Sequence, residues 1–169
     1  DWLNGSNANE DGTVVNHNQV HPAYAAAILQ NLFAPAMYTL AKKQTPQGTI
    51  FNADKIYDSL VDLNFTSPPY AAPGGTCYVD GSYSIYYPQG NDWGTGNFNC
   101  YNVLDSLAAT YGFDTLASQK GSYWEPLHGN KVAAQQARSS DGRTYIDATE
   151  DSYANREEKV AYEVATAVL

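Results

Sequence analysis

The sequence predicts a mainly α protein, an antiparallel layer of helices carrying one short β-ribbon. Three observations predict it. Apolar residues recur at three- and four-residue spacing in about five separate segments. The breaks between those segments hold the turn formers Pro, Gly and Asn. Only the stretch 77–87 is rich in β-favouring residues around a turn dipeptide, Asp80-Gly81. With 169 residues the chain can build one core, so residues 1–169 read as a single domain.

In order along the chain, residues 1–20 are polar and carry the turn dipeptides Asn4-Gly5 and Asp11-Gly12, which predicts an irregular arm. Pro22 suits a first helical position, and Tyr24, Ile28, Leu29, Leu32 and Phe33 follow at helical spacing. Pro35 predicts a kink, or a second short helix through Met37, Leu40 and Ala41. Asn52 is the expected cap of a helix whose apolar face is Ile56, Tyr57, Leu60, Val61 and Leu63. A Pro- and Gly-rich linker over 67–75 leads into the expected ribbon at 77–87. The glycine-rich, aromatic loop 88–96 precedes a helix with Tyr101, Leu104, Leu107, Ala108 and Tyr111 on its face and Gly112 at its end. Another helix is expected over about 122–138. The last begins near Asn155, where Asn155 and Glu158 resemble a capping pair. Residues 160–169 continue the helical pattern without a Gly cap, which predicts a longer polypeptide.

Nine Lys and Arg against 18 Asp and Glu give a net charge of -9, and no basic run offers the phosphate-tracking stripe of a nucleic-acid binder. The same imbalance, with no apolar run of membrane-spanning length, predicts no membrane partner. Charged residues are only 16%, and Asn, Gln, Ser, Thr and Tyr supply the polar surface instead, a composition suited to extracellular life. Cys77 and Cys100 predict a disulfide worth about 3 kcal/mol, by the logic of an oxidising compartment. Two sequons, at Asn4 and Asn64, fit a secreted glycoprotein.

Three segments carry candidate chemistry. In the first, Asn16, His17 and His21 stand ahead of the first helix, where imidazole suits acid/base work and an amide can hold a carboxylate. The second, 83–95, sets Tyr87, Asp92 and Trp93 among glycines; sugars present C–H faces and hydroxyls that want an aromatic platform beside polar groups. The third runs from Trp124 and His128 through Arg143 and Tyr145 to Arg156, with Arg143 or Arg156 able to neutralise a carboxylate and Tyr145 or Tyr153 able to move a proton. No cofactor is expected. Calcium, from Asp80, Asp92 or Asp141, is the one metal the oxygen-rich loops admit, since Pro22 keeps His17 and His21 off a common helix face for zinc. Serine-nucleophile elbows, phosphate loops and dinucleotide fingerprints are absent.

The string Tyr-Tyr-Pro-Gln-Gly-Asn-Asp-Trp-Gly-Thr at 86–95, with Asn-His and His-Pro near the start and Asp-Gly-Arg-Thr-Tyr near the end, resembles secreted microbial carbohydrate-active proteins with an (α/α) toroid. The resemblance implies that these helices are an arc of a larger toroid, with the remainder of a cleaved chain as a possible partner. It also implies an enzyme acting on a polysaccharide or oligosaccharide. The favoured chemistry is that of a polysaccharide lyase cleaving a uronic-acid glycan by β-elimination. Asn16 and Arg143 would bind the carboxylate, His17 or Tyr87 would take the C5 proton, and a second tyrosine such as Tyr145 would protonate the leaving oxygen. His21, Asp92, Trp93, Trp124 and His128 would line the sugar. The alternatives are a glycoside hydrolase with two carboxylates among Asp92, Glu125, Glu150 and Asp151, and a noncatalytic sugar-binding or inhibitory fragment.

Overall fold

The computed structural model describes residues 8–94, 96–146, 150 and 156–168. The chain is mainly helical with one two-stranded antiparallel sheet. The sheet is β1 (Val15–Asn16) and β2 (Gln19–Val20), with Val15 opposite Val20 and Asn16 opposite Gln19. The helices are α1 (Pro22–Ala26), α2 (Leu29–Leu40), α3 (Ala53–Val61), α4 (Phe98–Tyr111), α5 (Gly121–Gln136) and α6 (Arg156–Val168). Among these α4 is central, packing on α5, α6, α2 and α1. Its buried face of Tyr101, Val103, Leu104, Leu107 and Ala108 meets Leu29 and Leu32 of α2, Tyr57 and Leu60 of α3 and Trp124 of α5 in one core. No helix among the described residues is long and apolar enough to cross a membrane.

Several local expectations need correcting. The region before α1 is not an irregular arm over its described part. Asp11 accepts from the Thr13 backbone and hydroxyl, Ala8 bridges Val14, and the β-hairpin follows directly. The hairpin turns through His17 and Asn18, both left-handed at φ 51° and 60°, the pairing that a two-residue turn matched to strand twist requires. The ribbon expected at 77–87 reduces to one bridge, Tyr78 with Ile85, so the β-element lies elsewhere than predicted. Pro35 sits inside α2 and does not break it; it withdraws one N–H from the ladder, and the chain instead interrupts at Ala27–Ile28. Asn52 does precede α3, but in the left-handed region and without capping it through its side chain. Gly112 closes α4 at φ 75° as expected. The capping pair at Asn155 lies outside the described residues.

The expected disulfide is not formed: Cys77 and Cys100 are both buried free thiols. Cys100 faces α6, with Lys159 Nζ 3.7 Å and Glu163 Oε2 3.9 Å from its sulfur. Burial raises the Cys77 thiol to about 12, and burial with the Glu163 charge raises Cys100 to about 11.

Candidate functional site

The hairpin tip and the loop after Tyr87 come together although more than seventy residues separate them in sequence. Asp92 is the joint. Its Oδ2 lies 2.7 Å from His17 Nδ1 and its Oδ1 lies 3.0 Å from His21 Nε2. A second tie runs from the Val20 N–H to Gln89 Oε1 at 2.6 Å. The loop itself is set by Asn91, whose amide donates to the Gly94 carbonyl at 2.5 Å and whose oxygen accepts from the Trp93 N–H at 3.0 Å.

A carboxylate only accepts, so each neutral histidine donates its N–H to Asp92, and the tautomers follow. For His21 this places the proton on Nε2 and leaves Nδ1 as a buried lone pair without a partner. His21 is fully buried, and burial lowers its pKa against the opposing pull of Asp92. For His17 the neutral tautomer carries its proton on Nδ1 and leaves Nε2 as the acceptor nitrogen; its side chain is 55% exposed. The His17 hydrogen bond, seconded by that of His21, holds Asp92 below the ordinary carboxylate range. The carboxylate therefore stays ionised and keeps orienting both rings.

Aromatic rings surround the dyad. Tyr24 meets His21 edge-on at 4.8 Å and His17 at 5.7 Å, and it stacks on Trp93 at 4.8 Å with 22° between planes. Both Tyr24 and Trp93 are half-buried. Tyr87 packs edge-on to His21 at 6.0 Å, and its hydroxyl is 3.1 Å from that of Tyr101. Burial raises the Tyr87 phenol to about 12, so near neutral pH it is a proton donor rather than a base.

The structure thus brings together His17, His21, Tyr87, Asp92 and Trp93, with the half-buried Asn16 on the adjoining strand. It does not bring the remaining predicted residues with them. Trp124 and His128 are core residues, 1% and 0% exposed, stacked at 6.1 Å, with His128 Nδ1 2.6 Å from the buried Asp105. Arg143 is exposed and forms an ion pair with Asp141, two residues away. Tyr145 is buried, raised by burial, with its ring under Arg156 at 4.4 Å and its hydroxyl donating to Asn99. The calcium candidates are each spent separately: Asp80 accepts from Tyr123, Asp92 holds the histidines, and Asp141 holds Arg143. Among the described residues no three His, Cys, Asp or Glu side chains converge as metal ligands.

Tyr24 belongs to the site region without having been predicted as a site residue, and Gln89, inside the candidate segment 83–95, ties the loop to the hairpin. Tyr24 read as an apolar helix position, and only its place one turn after His21 could have marked it. Comparisons with protein-family models, curated proteins and solved structures return no match.

Proposed function

We propose that the hairpin tip and the 86–94 loop form the acid–base centre of a secreted carbohydrate-active enzyme, a polysaccharide lyase that cleaves a uronic-acid glycan by β-elimination. The observation that carries this reading is Asp92 gripping two histidines, with the His17 side chain 55% exposed, so that the Nε2 of its neutral tautomer can serve as a base. β-Elimination needs such a base to remove the C5 proton. The C–H electrons form the C4=C5 double bond, the C4–O bond breaks, and the leaving oxygen takes a proton. Tyr87, kept protonated by burial, suits that donation, so the base is His17 rather than Tyr87. The half-buried Tyr24 and Trp93 offer the apolar platform on which a sugar ring rests.

Hydrolysis through two carboxylates has less support. Asp92 is committed to the histidines, Glu125 Oε1 lies 3.3 Å from the Asn102 amide, and Glu150 is paired with Arg138. The resemblance to (α/α)-toroid proteins supports placing these helices in a larger arc that binds an extended glycan.

The test is incubation with a panel of uronic-acid and neutral polysaccharides while following the ultraviolet absorbance of the unsaturated uronate. A rising signal, reduced by about two to four orders of magnitude in His17→Ala, is the expected result. New reducing ends without that absorbance would establish hydrolysis. Binding without turnover, kept in His17→Ala and lost in Trp93→Ala, would establish a noncatalytic sugar-binding protein.

A further inference from the structure

On the far side of Tyr87 lies a cleft of about 270 Å³ lined by Ser84, Ile85, Tyr87, Asn91, Asn97, Phe98 and Tyr101. Asn97 stands immediately before α4 in the capping position, yet no side chain caps that helix. Its oxygen is engaged, accepting from Arg156, with the Tyr145 hydroxyl oxygen 3.4 Å away. Its amide nitrogen has no partner, although the residue is 3% exposed. A buried N–H donor left unpaired keeps its full desolvation penalty, so this one asks for an acceptor from outside the chain.

The surrounding groups specify the acceptor's chemistry. The Arg156 guanidinium on the Asn97 oxygen polarises the amide, which makes its free N–H a stronger donor. The positive end of the uncapped, 14-residue α4 adds to the same field. Tyr87 and Tyr101 share one hydroxyl proton between oxygens 3.1 Å apart, so the other proton is available to a ligand. Ile85 and Phe98 supply apolar wall beside these donors. The cleft offers donors, a positive field and apolar contact, and none of its lining residues is acidic.

We propose that this cleft binds the carboxylate of a uronic-acid ring, with Asn97 Nδ2 as the principal donor, and leaves the one free proton of the Tyr87–Tyr101 pair for the leaving oxygen. The proposal rests on the lyase reading for the identity of the sugar. It gives the site the carboxylate receptor that Arg143, paired with Asp141, does not supply. Tyr87 borders both the histidine pair and the cleft, so a ring held here by its carboxylate lies beside the proton donor.

Calorimetric titration of the chain with free galacturonate and glucuronate, against galactose and glucose, tests it. Uronates are expected to bind at least tenfold more tightly than the neutral hexoses. Asn97→Asp keeps an acceptor for Arg156 but turns the donor into a carboxylate oxygen, and it should weaken uronate binding at least tenfold. Equal binding of uronate and hexose, no binding of uronate, or a folded Asn97→Asp protein with unchanged affinity overturns the proposal. Should Asn97→Asp not fold, the Asn97 side-chain amide resonance of the wild-type chain decides: it must shift with uronate and stay with hexose, and an unmoved resonance overturns the proposal. Uronate binding without any polymer turnover would refute the elimination and leave the cleft standing, whereas turnover without uronate preference would refute the cleft alone.

Discussion

Removing Asp105 tests how the core holds its own polar groups, and its cost can be worked from the structure. Asp105 is completely buried on α4. Its Oδ1 accepts from Tyr57 and Tyr78 hydroxyls at 2.9 Å each, and its Oδ2 faces His128 Nδ1 at 2.6 Å. Asp105→Ala leaves three buried polar groups without partners, at about 1–3 kcal/mol each. Part of that loss is returned, because a buried carboxylate no longer has to be desolvated, so a net cost of about 3–5 kcal/mol is expected. Against a total stability of about 5–15 kcal/mol this removes much of the margin. Asp105→Asn keeps an acceptor for both hydroxyls and can donate to His128 in its other tautomer, so its cost should be about 1–2 kcal/mol. Urea titration followed by far-ultraviolet dichroism and by Trp124, which stacks on His128, measures both values. A loss under about 1 kcal/mol in Asp105→Ala, or equal losses in the two variants, would refute the reasoning.

Three further outcomes are expected. Burial lowers the His21 pKa below 6.5, so the unfolded chain takes up a proton before the folded one does. Stability should therefore decline as pH falls from about 6.5 toward the folded value. Urea midpoints across that range should show the slope in the wild type and lose it in His21→Leu. Gly12 has φ +86°, and a Cβ there would sit 2.2 Å from the Lys55 carbonyl oxygen. Gly12→Ala should cost about 1–3 kcal/mol from backbone strain, with the clash adding to it, read as a lowered thermal midpoint. Trp93→Ala removes the ring stacked on Tyr24 and should weaken oligosaccharide binding measurably by calorimetry while leaving the urea midpoint nearly unchanged, since Trp93 is only half-buried.

The helices were legible where their punctuation was local. Gly112 ends α4 because a left-handed residue is needed there, and α3 follows its apolar spacing. The hairpin was missed although Val-Asn-His-Asn-Gln-Val carries its signal, because a histidine at φ 51° is an uncommon turn residue and the flanking polar arm masked the alternation. Of the site, residue types were legible and their meeting was not. Nothing local ties His17 to Asp92, which stand 75 positions apart and meet only through folded packing. Trp124 and His128 misled for a related reason. A polar core built on Asp105 uses the same residue types as a sugar site, and sequence spacing does not separate them.

Two of the three histidine–aspartate pairs among the described residues have nearly the same length, and exposure alone gives them different meanings. His128 and Asp105 meet at 2.6 Å with both side chains fully buried, so any proton they share has no route to a substrate. Their role is to satisfy Tyr57 and Tyr78 inside the core. His17 and Asp92 meet at 2.7 Å with side chains 55% and 42% exposed, a setting in which an ion pair contributes little to stability. Yet the fold keeps His17 in a left-handed turn position, a conformation that costs free energy for a residue with a side chain. It also spends a buried histidine, with Nδ1 unpartnered, to hold the same carboxylate. The proposed base at His17 would account for an arrangement that returns little stability for such costs. That is the physical ground for placing the chemistry at the hairpin tip rather than in the better-bonded core.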